Sequence, residues 1–116
     1  TYTRLPPLED AIAFEELRYG LHGGLLETAM MQYLAPALVQ LEHYQATPPA
    51  APEGDALVSA EGVAAFAWLA EDLSAQGVAG DASHASAELG ERLVKHYARQ
   101  LAAVVTETAH LPPLTR

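Results

Sequence analysis

One short stretch of the sequence combines residue types that could transfer a proton. His22 lies between Gly20 and the pair Gly23 and Gly24, and Glu27 follows at the start of an apolar helical pattern. An imidazole titrates near neutral pH and can accept or donate a proton, and glycines let the backbone turn sharply beside a ligand. From these residues alone two interpretations stay open: His22 faces a functional cleft, or it makes only local hydrogen bonds.

No other pattern completes a catalytic or metal site. The five histidines form no HxH, HxxxH or HExxH pair, cysteine is absent, and there is no GxSxG motif or P-loop. The acidic pairs Glu15–Glu16 and Glu71–Asp72 are predicted to be mostly solvated surface, because adjacent residues point to different sides of an element. Glu27 by itself fits a partner for the helix dipole. We therefore predict no complete metal site within the chain.

The composition argues against several classes of partner. The net charge is −9 with a pI near 4.8, and the six Lys and Arg residues are scattered, which argues against nucleic acid and anionic membranes. No apolar run reaches the 18 residues of a membrane span, and the first residues do not resemble a signal peptide. Together with the absence of cysteine, these features favour a cytoplasmic protein.

Hydrophobic periodicity predicts helices on both sides of a less regular middle. A short acidic helix is expected over residues 10–18, with Gly20 closing it. A second helix starts at Leu25, with an apolar face formed by Leu26, Met30, Met31 and Leu34. A long amphipathic helix is expected over residues 85–109, with Ser83 as its N-cap. Its apolar face comprises Leu89, Leu93, Tyr97, Leu101 and Val104 or Val105.

The middle of the chain is predicted to contain little regular structure. Pro36 starts either a short helix or a turn into a strand, and residues 45–55 form a flexible, proline-rich loop. Residues 63–69 are predicted to be a strand, with Phe66 and Trp68 in the core. The chain is thus helix-rich with one or two strands, too few for a sheet that is stable by itself.

Two segments, in the same order, resemble the creatininase-type amidohydrolases. Residues 21–42, LHGGLLETAMMQYLAPALVQLE, carry the family's His, small residue and Gly, then Glu-Thr opening an apolar helix and a Pro-x-Leu-Val. Residues 66–93 are similar to its Gly-Val-x-Gly-Asp loop followed by Ala-Ser-x-Glu-x-Gly, here GVAGD and ASAELG. The resemblance extends from about Glu15 to Ala109.

The resemblance implies an α/β fold, a three-layer α/β/α sandwich, usually assembled into homo-oligomers. It also implies hydrolysis of a C–N bond in a small-molecule amide or cyclic amide, with two divalent metal ions (zinc, manganese or iron). His22 would be the catalytic proton-transfer residue, and Glu27 would support it by orienting the loop or the imidazole. Gly23, Gly24 and Asp81 would border the substrate pocket.

The family's metal ligands belong to the first half of its fold. The resemblance therefore implies that residues 1–116 are the C-terminal half of a single domain and that the metal ligands lie outside this chain. The expected partner is the N-terminal half, as a separate chain or another segment, and this chain alone is expected to be inactive. Leu21 and Arg18 replace an acidic residue and a tryptophan of the creatinine-hydrolysing members, which argues against creatinine as the substrate.

Two alternatives come from other classes of protein. One is a non-enzymatic, acidic helical interaction module in which the glycine–histidine turn is only a tight connection. The other is an inactive paralogue that keeps the fold. A module predicts a self-sufficient core, whereas a half-domain leaves a sheet edge and an apolar helix face exposed.

Overall fold

The computed structural model of the protein describes residues 4–44, 47 and 56–112. These residues contain four α-helices, namely α1 (Phe14–Tyr19), α2 (Leu25–Leu34), α3 (Ala70–Leu73) and α4 (Ala87–His110). They also contain strands β1 (Val58–Ser59) and β2 (Ala64–Ala65) and 3-10 turns at Glu9–Ala11, Pro36–Leu38 and Leu41–His43. The prediction of a helix-rich chain with one or two strands is confirmed for this part of the chain. The predicted loop 45–55 lies outside the described residues, apart from Thr47.

The helix before His22 is shorter than the predicted span of residues 10–18. Ile12 has an extended backbone (φ −139°, ψ 132°) and a buried side chain, so α1 begins only at Phe14. Gly20 closes α1 as predicted, and its N–H donates to the Glu16 carbonyl oxygen at 2.9 Å. Residues 20–24 are left as the connection between α1 and α2.

The core lies between α2 and α4. Ala29 of α2 and Leu93 of α4 are completely buried, and they are surrounded by Ile12, Leu25 and Tyr97. The two helices approach closely because α4 presents Gly90 to α2. A Cβ added at Gly90 would overlap the backbone carbonyl of Ala29, so the two backbones leave no room for a side chain.

The buried face of α2 differs from the predicted one. Leu25 and Ala29 are its buried residues, whereas Met31 and Leu34 are 40% and 61% exposed. Leu26 and Met30, also in the predicted face, pack against the core only partly buried. The close approach of α4 explains the difference, because a small residue such as Ala29 allows two backbones to meet and a longer side chain does not.

Helix α4 begins at Ala87, three residues later than a helix with Ser83 as its N-cap would begin. Ser86, and not Ser83, is the N-cap: its hydroxyl accepts a hydrogen bond from Leu89 N–H at 3.2 Å. The helix ends at His110, shortly before Pro112. Residues 101–110 are exposed, including Leu101 at 55%, so the second half of the predicted apolar face is not covered by the described residues. No helix in the described ranges is long and apolar enough to cross a membrane.

The predicted strand over residues 63–69 is only two residues long. Ala64 and Ala65 pair in parallel with Val58 and Ser59, across a connection of four residues. The expectation that Phe66 lies in the core is wrong, because its side chain is 46% exposed. Pairing ends at Ala65, although Leu69 still has an extended backbone (φ −103°, ψ 156°), and its N–H donates to the Asp72 carboxylate at 2.8 Å at the start of α3.

Trp68 is half-buried, and its indole N–H donates to the Ala60 carbonyl oxygen at 3.3 Å. It therefore anchors the loop between the strands without entering the core. Residues 36–43 contain two successive short 3-10 helices, so of the two alternatives for the segment after Pro36 the structure has a short helix, in 3-10 form, and no turn into a strand.

The contact at Gly90 predicts that a glycine-to-alanine substitution in α4 lowers the free energy of unfolding, although alanine usually stabilises a helix. Alanine is the better helix former by about 1 kcal/mol, so Gly90→Ala would stabilise α4 if the position were open. Because the added methyl must push α2 away, we expect the free energy of unfolding to fall by about 1–3 kcal/mol. Urea denaturation measures this change, with Ala102→Gly on the exposed part of α4 as a control that reports helix propensity alone. A Gly90→Ala variant as stable as the parent would contradict the close packing.

Candidate active site

The turn that carries His22 is tied to a loop distant in sequence. His22 forms an antiparallel bridge with Ala79. The N–H groups of Leu21 and His22 donate to the Ala79 carbonyl oxygen at 2.7 and 3.1 Å, and Ala79 N–H donates to the His22 carbonyl oxygen at 2.8 Å. Gly23, with φ of 66°, then turns the chain into α2, a backbone conformation that favours glycine. The His22 backbone is thus fixed, while its side chain is 54% exposed.

Glu27 holds the same turn from the first turn of α2. Its Oε2 atom accepts a hydrogen bond from Gly23 N–H at 2.5 Å and lies 3.7 Å from His22 Nδ1. Thr28 Oγ1 donates to the Gly23 carbonyl oxygen at 3.2 Å. The carboxylate therefore fixes the turn and lies close enough to pair with the imidazole when the ring is protonated. Since both side chains are about half exposed, a ligand can reach the pair.

Asp81 lies in the loop that follows the bridge. Its Oδ1 atom accepts hydrogen bonds from the Tyr44 hydroxyl at 2.5 Å and from Ser83 N–H at 2.9 Å. These two donors stabilise the ionised carboxylate, so the pKa of Asp81 is held below its ordinary value, with the Tyr44 hydroxyl as the larger cause. Burial and the neighbouring Asp81 carboxylate raise the pKa of Tyr44. The pair connects the loop between α3 and α4 to the 3-10 turns after α2.

Glu16 is buried, and the prediction that it lies on the solvated surface is wrong. We predicted that the pair Glu15–Glu16 is mostly solvated, and Glu15 is exposed, but Glu16 is only 5% exposed. Its Oε1 atom accepts a hydrogen bond from Leu25 N–H at 2.7 Å, and its Oε2 atom accepts one from Asp81 N–H at 2.9 Å. Spacing gave no signal for this burial, because Ile12, four residues earlier, has an extended backbone outside α1 and shares no helical face with Glu16.

Glu16 and Glu27 line the same cavity, which has a volume of about 160 Å³. Its remaining walls are Gly20 and Gly24 together with Leu5, Pro7, Leu17, Leu21, Leu26 and Tyr97. A cavity of this size admits only a small molecule or a part of one. Gly23 borders a different cleft, of about 330 Å³, together with His43, Tyr44, Thr47, Gln76 and Val78.

The structure places the predicted site residues in two groups. His22, Gly23 and Glu27 lie in direct contact around the turn. Gly24 faces the Glu16 carboxylate instead, and the Asp81 side chain bonds to Tyr44. The backbone of Asp81 is joined to the turn through Glu16.

The described residues do not provide a metal site. Across residues 4–44, 47 and 56–112, no three side chains of His, Cys, Asp or Glu are arranged so that they could hold a metal ion. Both oxygens of Glu16 already accept backbone hydrogen bonds, and Glu27 already binds the Gly23 amide. The donor set seen here therefore does not fit a two-metal centre.

Comparison with known proteins gives one match. The family model of creatininase, described as creatinine amidohydrolase, matches residues 3–105 of the chain. No curated protein and no solved structure matches it.

The Tyr44–Asp81 contact predicts a pH-dependent effect of removing the phenol hydroxyl. Because that hydroxyl lowers the pKa of Asp81, Tyr44→Phe raises the Asp81 pKa toward its ordinary value of 3.8. A depressed carboxyl pKa stabilises the folded state above the ordinary value, and this contribution is lost as the pH falls through the depressed pKa. The stability difference between parent and variant therefore disappears in acid. Carbon-13 NMR titration of the Asp81 carboxyl measures the shift, with Tyr33→Phe as the control, and an unchanged Asp81 titration would contradict the contact.

Proposed function

The chain belongs to the creatininase family, and from that membership we propose that it forms part of a metal-dependent hydrolase that cleaves the C–N bond of a small amide or cyclic amide. Family membership indicates an amidohydrolase and an α/β fold. The observation that carries the assignment to particular residues is the cluster of His22, Gly23 and Glu27. There an exposed imidazole stands beside a carboxylate on a fixed turn.

In this proposal His22 is the general acid and base. Its Nδ1 atom is the ring nitrogen that faces Glu27, so we assign proton transfer to Nε2. Nε2 accepts a proton from the attacking water and then donates it to the leaving nitrogen as the C–N bond breaks. Glu27 Oε2, at 3.7 Å from Nδ1, is the carboxylate that faces the ring while His22 holds the transferred proton. Contacts of this kind often shorten once substrate is bound.

The metal ions of the family require ligands from elsewhere in its fold. We propose that residues 1–116 form the C-terminal half of a three-layer α/β/α domain, and that the N-terminal half, as a separate chain or another segment, holds the two divalent ions. The exposed apolar side chains Leu101, Val104 and Val105 follow one another along α4 and support a covering partner, since contiguous apolar patches on proteins usually mark interaction surfaces. Leu57, Val58, Val63 and Leu69 are further exposed apolar residues, in and around the two strands.

The substrate we propose is a small amide other than creatinine. Leu21 directly precedes His22 in the turn, so an apolar side chain stands where the creatinine-hydrolysing members have an acidic one. Arg18 lies over the rings of Phe14 and Tyr19, at 6.0 and 5.6 Å from their centroids. Its guanidinium is thus held by cation–π contacts on α1.

The composition of the active species can be tested directly. We expect purified material with hydrolase activity to contain this 12.3 kDa chain with a second polypeptide or segment of similar size. We also expect about two divalent ions per complete domain. Intact-mass spectrometry and elemental analysis measure both quantities. A folded, metal-free monomer of this chain with no further polypeptide would instead support the acidic interaction module.

The role of His22 can be tested by substitution in the active species. We expect His22→Gln to lower kcat by about 10²- to 10⁴-fold, because general acid–base catalysis contributes that much, while the metal content stays unchanged. The assay follows product release from a panel of linear and cyclic amides. His110→Gln, at the exposed end of α4, is the matched control and should keep full activity. Full activity of the His22→Gln enzyme would rule out the proposed role.

A further inference from the structure

We propose that Glu16 is a positioning residue that fixes the His22 turn against the loop containing Asp81. This inference deepens the proposed function and rests on the assignment of His22 as the acid and base. Glu16 does not belong to the turn or to the loop: it lies on α1 and reaches both with a single buried carboxylate.

The first contact of Glu16 fixes the start of α2. Leu25 is the first residue of that helix, and its N–H is one of those that have no acceptor within the helix. The N-cap residue, Gly24, has no side chain that could accept this hydrogen bond. Glu16 Oε1 takes that place from another helix, at 2.7 Å, and a charged acceptor makes the bond stronger than a neutral one.

The second contact fixes the loop that pairs with His22. Oε2 of Glu16 accepts the Asp81 N–H at 2.9 Å, two residues after Ala79, the bridge partner of His22. The turn and the loop are therefore held together twice, by the bridge at His22 and by the carboxylate at Leu25 and Asp81. Among the hydrogen bonds of the described residues, loss of the carboxylate leaves those of the bridge to hold the His22 turn in register with the loop.

The surrounding backbone is shaped to admit this carboxylate. A Cβ at Gly24 would collide with Glu16 Oε1, and one at Gly80 would lie 2.9 Å from the same atom. A Cβ at Gly20 would lie 2.5 Å from it. Three glycines thus border the Glu16 carboxylate, two from the turn and one from the loop, which places it at the point where the two segments meet.

The test compares Glu16→Gln with Glu15→Gln in the active species. An amide at position 16 keeps the size of the side chain, but its NH₂ group meets either the Leu25 or the Asp81 N–H, so one of the two hydrogen bonds is lost. We expect kcat to fall by roughly 10- to 100-fold with little change in KM, because small displacements of a catalytic group are costly. We also expect faster hydrogen exchange at whichever of the Leu25 and Asp81 amides loses its acceptor, with exchange at Leu93 unchanged. Glu15 is the exposed neighbour on α1, and its substitution should change none of these quantities.

The activity and exchange readouts separate the possible failures. Unchanged exchange at Leu25 and Asp81 would overturn the proposal whatever the activity. Faster exchange across the whole chain, including Leu93, would show a general loss of stability and would also overturn it. If the Glu16→Gln variant shows faster exchange only at Leu25 or Asp81 but keeps full kcat, while His22→Gln inactivates the enzyme, Glu16 has no positioning role and the proposed function stands. If His22→Gln has no effect, the proposed function fails, and this role fails with it.

Discussion

The contact between Gly90 and the backbone of Ala29 sets the geometry of the described structure. It allows α4 to cross α2 at close range, with Leu93 and Ala29 fully buried at the crossing. The first turn of α2 carries Glu27, and the segment leading into α4 carries Ala79 and Asp81. The start of α4 lies beside the end of α2, where Gln32 Nε2 donates to the Ala85 carbonyl oxygen at 3.4 Å. The loop before α4 must therefore run back along α2 for Ala79 and Asp81 to reach its start, and the hydrogen bonds of His22 and Glu16 fix the loop there.

Those features of the site that depend on neighbours in sequence could be predicted, and those that depend on distant ones could not. Glu27 bonds to an amide four residues away, and the position of the helix start at Leu25 follows from local signals. Glu16 meets Asp81 across 65 residues, and Tyr44 meets it across 37. Periodicity identifies the face on which a residue lies, but it carries no information about which distant backbone amide approaches that face.

The errors in the predicted core have a related cause. A pattern of large apolar residues marks a surface that can be buried, and on that basis α2 was expected to bury its leucine and methionine side chains. The described structure buries Leu25 and Ala29 instead, because the closeness of α4 selects for small size at the crossing. Conversely, Leu101 and Phe66 have the residue type and spacing of core positions and are exposed. For these positions the apolar pattern shows that a side chain can be buried, but it is buried only where another element packs against it.

The tight fit between Glu16 and its glycines also constrains how this sequence can change over evolutionary time. A side chain at position 24 is excluded as long as the carboxylate is present, whereas position 80 is closed in addition by the Gly24 backbone, 2.7 Å from an added Cβ. Shortening residue 16 would remove the carboxylate from position 24, where the Gly80 Cα would still lie 3.1 Å from an added Cβ, and would leave position 80 closed. Once a lineage had placed a side chain at position 24, glutamate could return to position 16 only after position 24 had reverted to glycine. The order of substitutions at this junction therefore matters, and the change at position 24, more than the loss of the carboxylate, is the step that blocks a return.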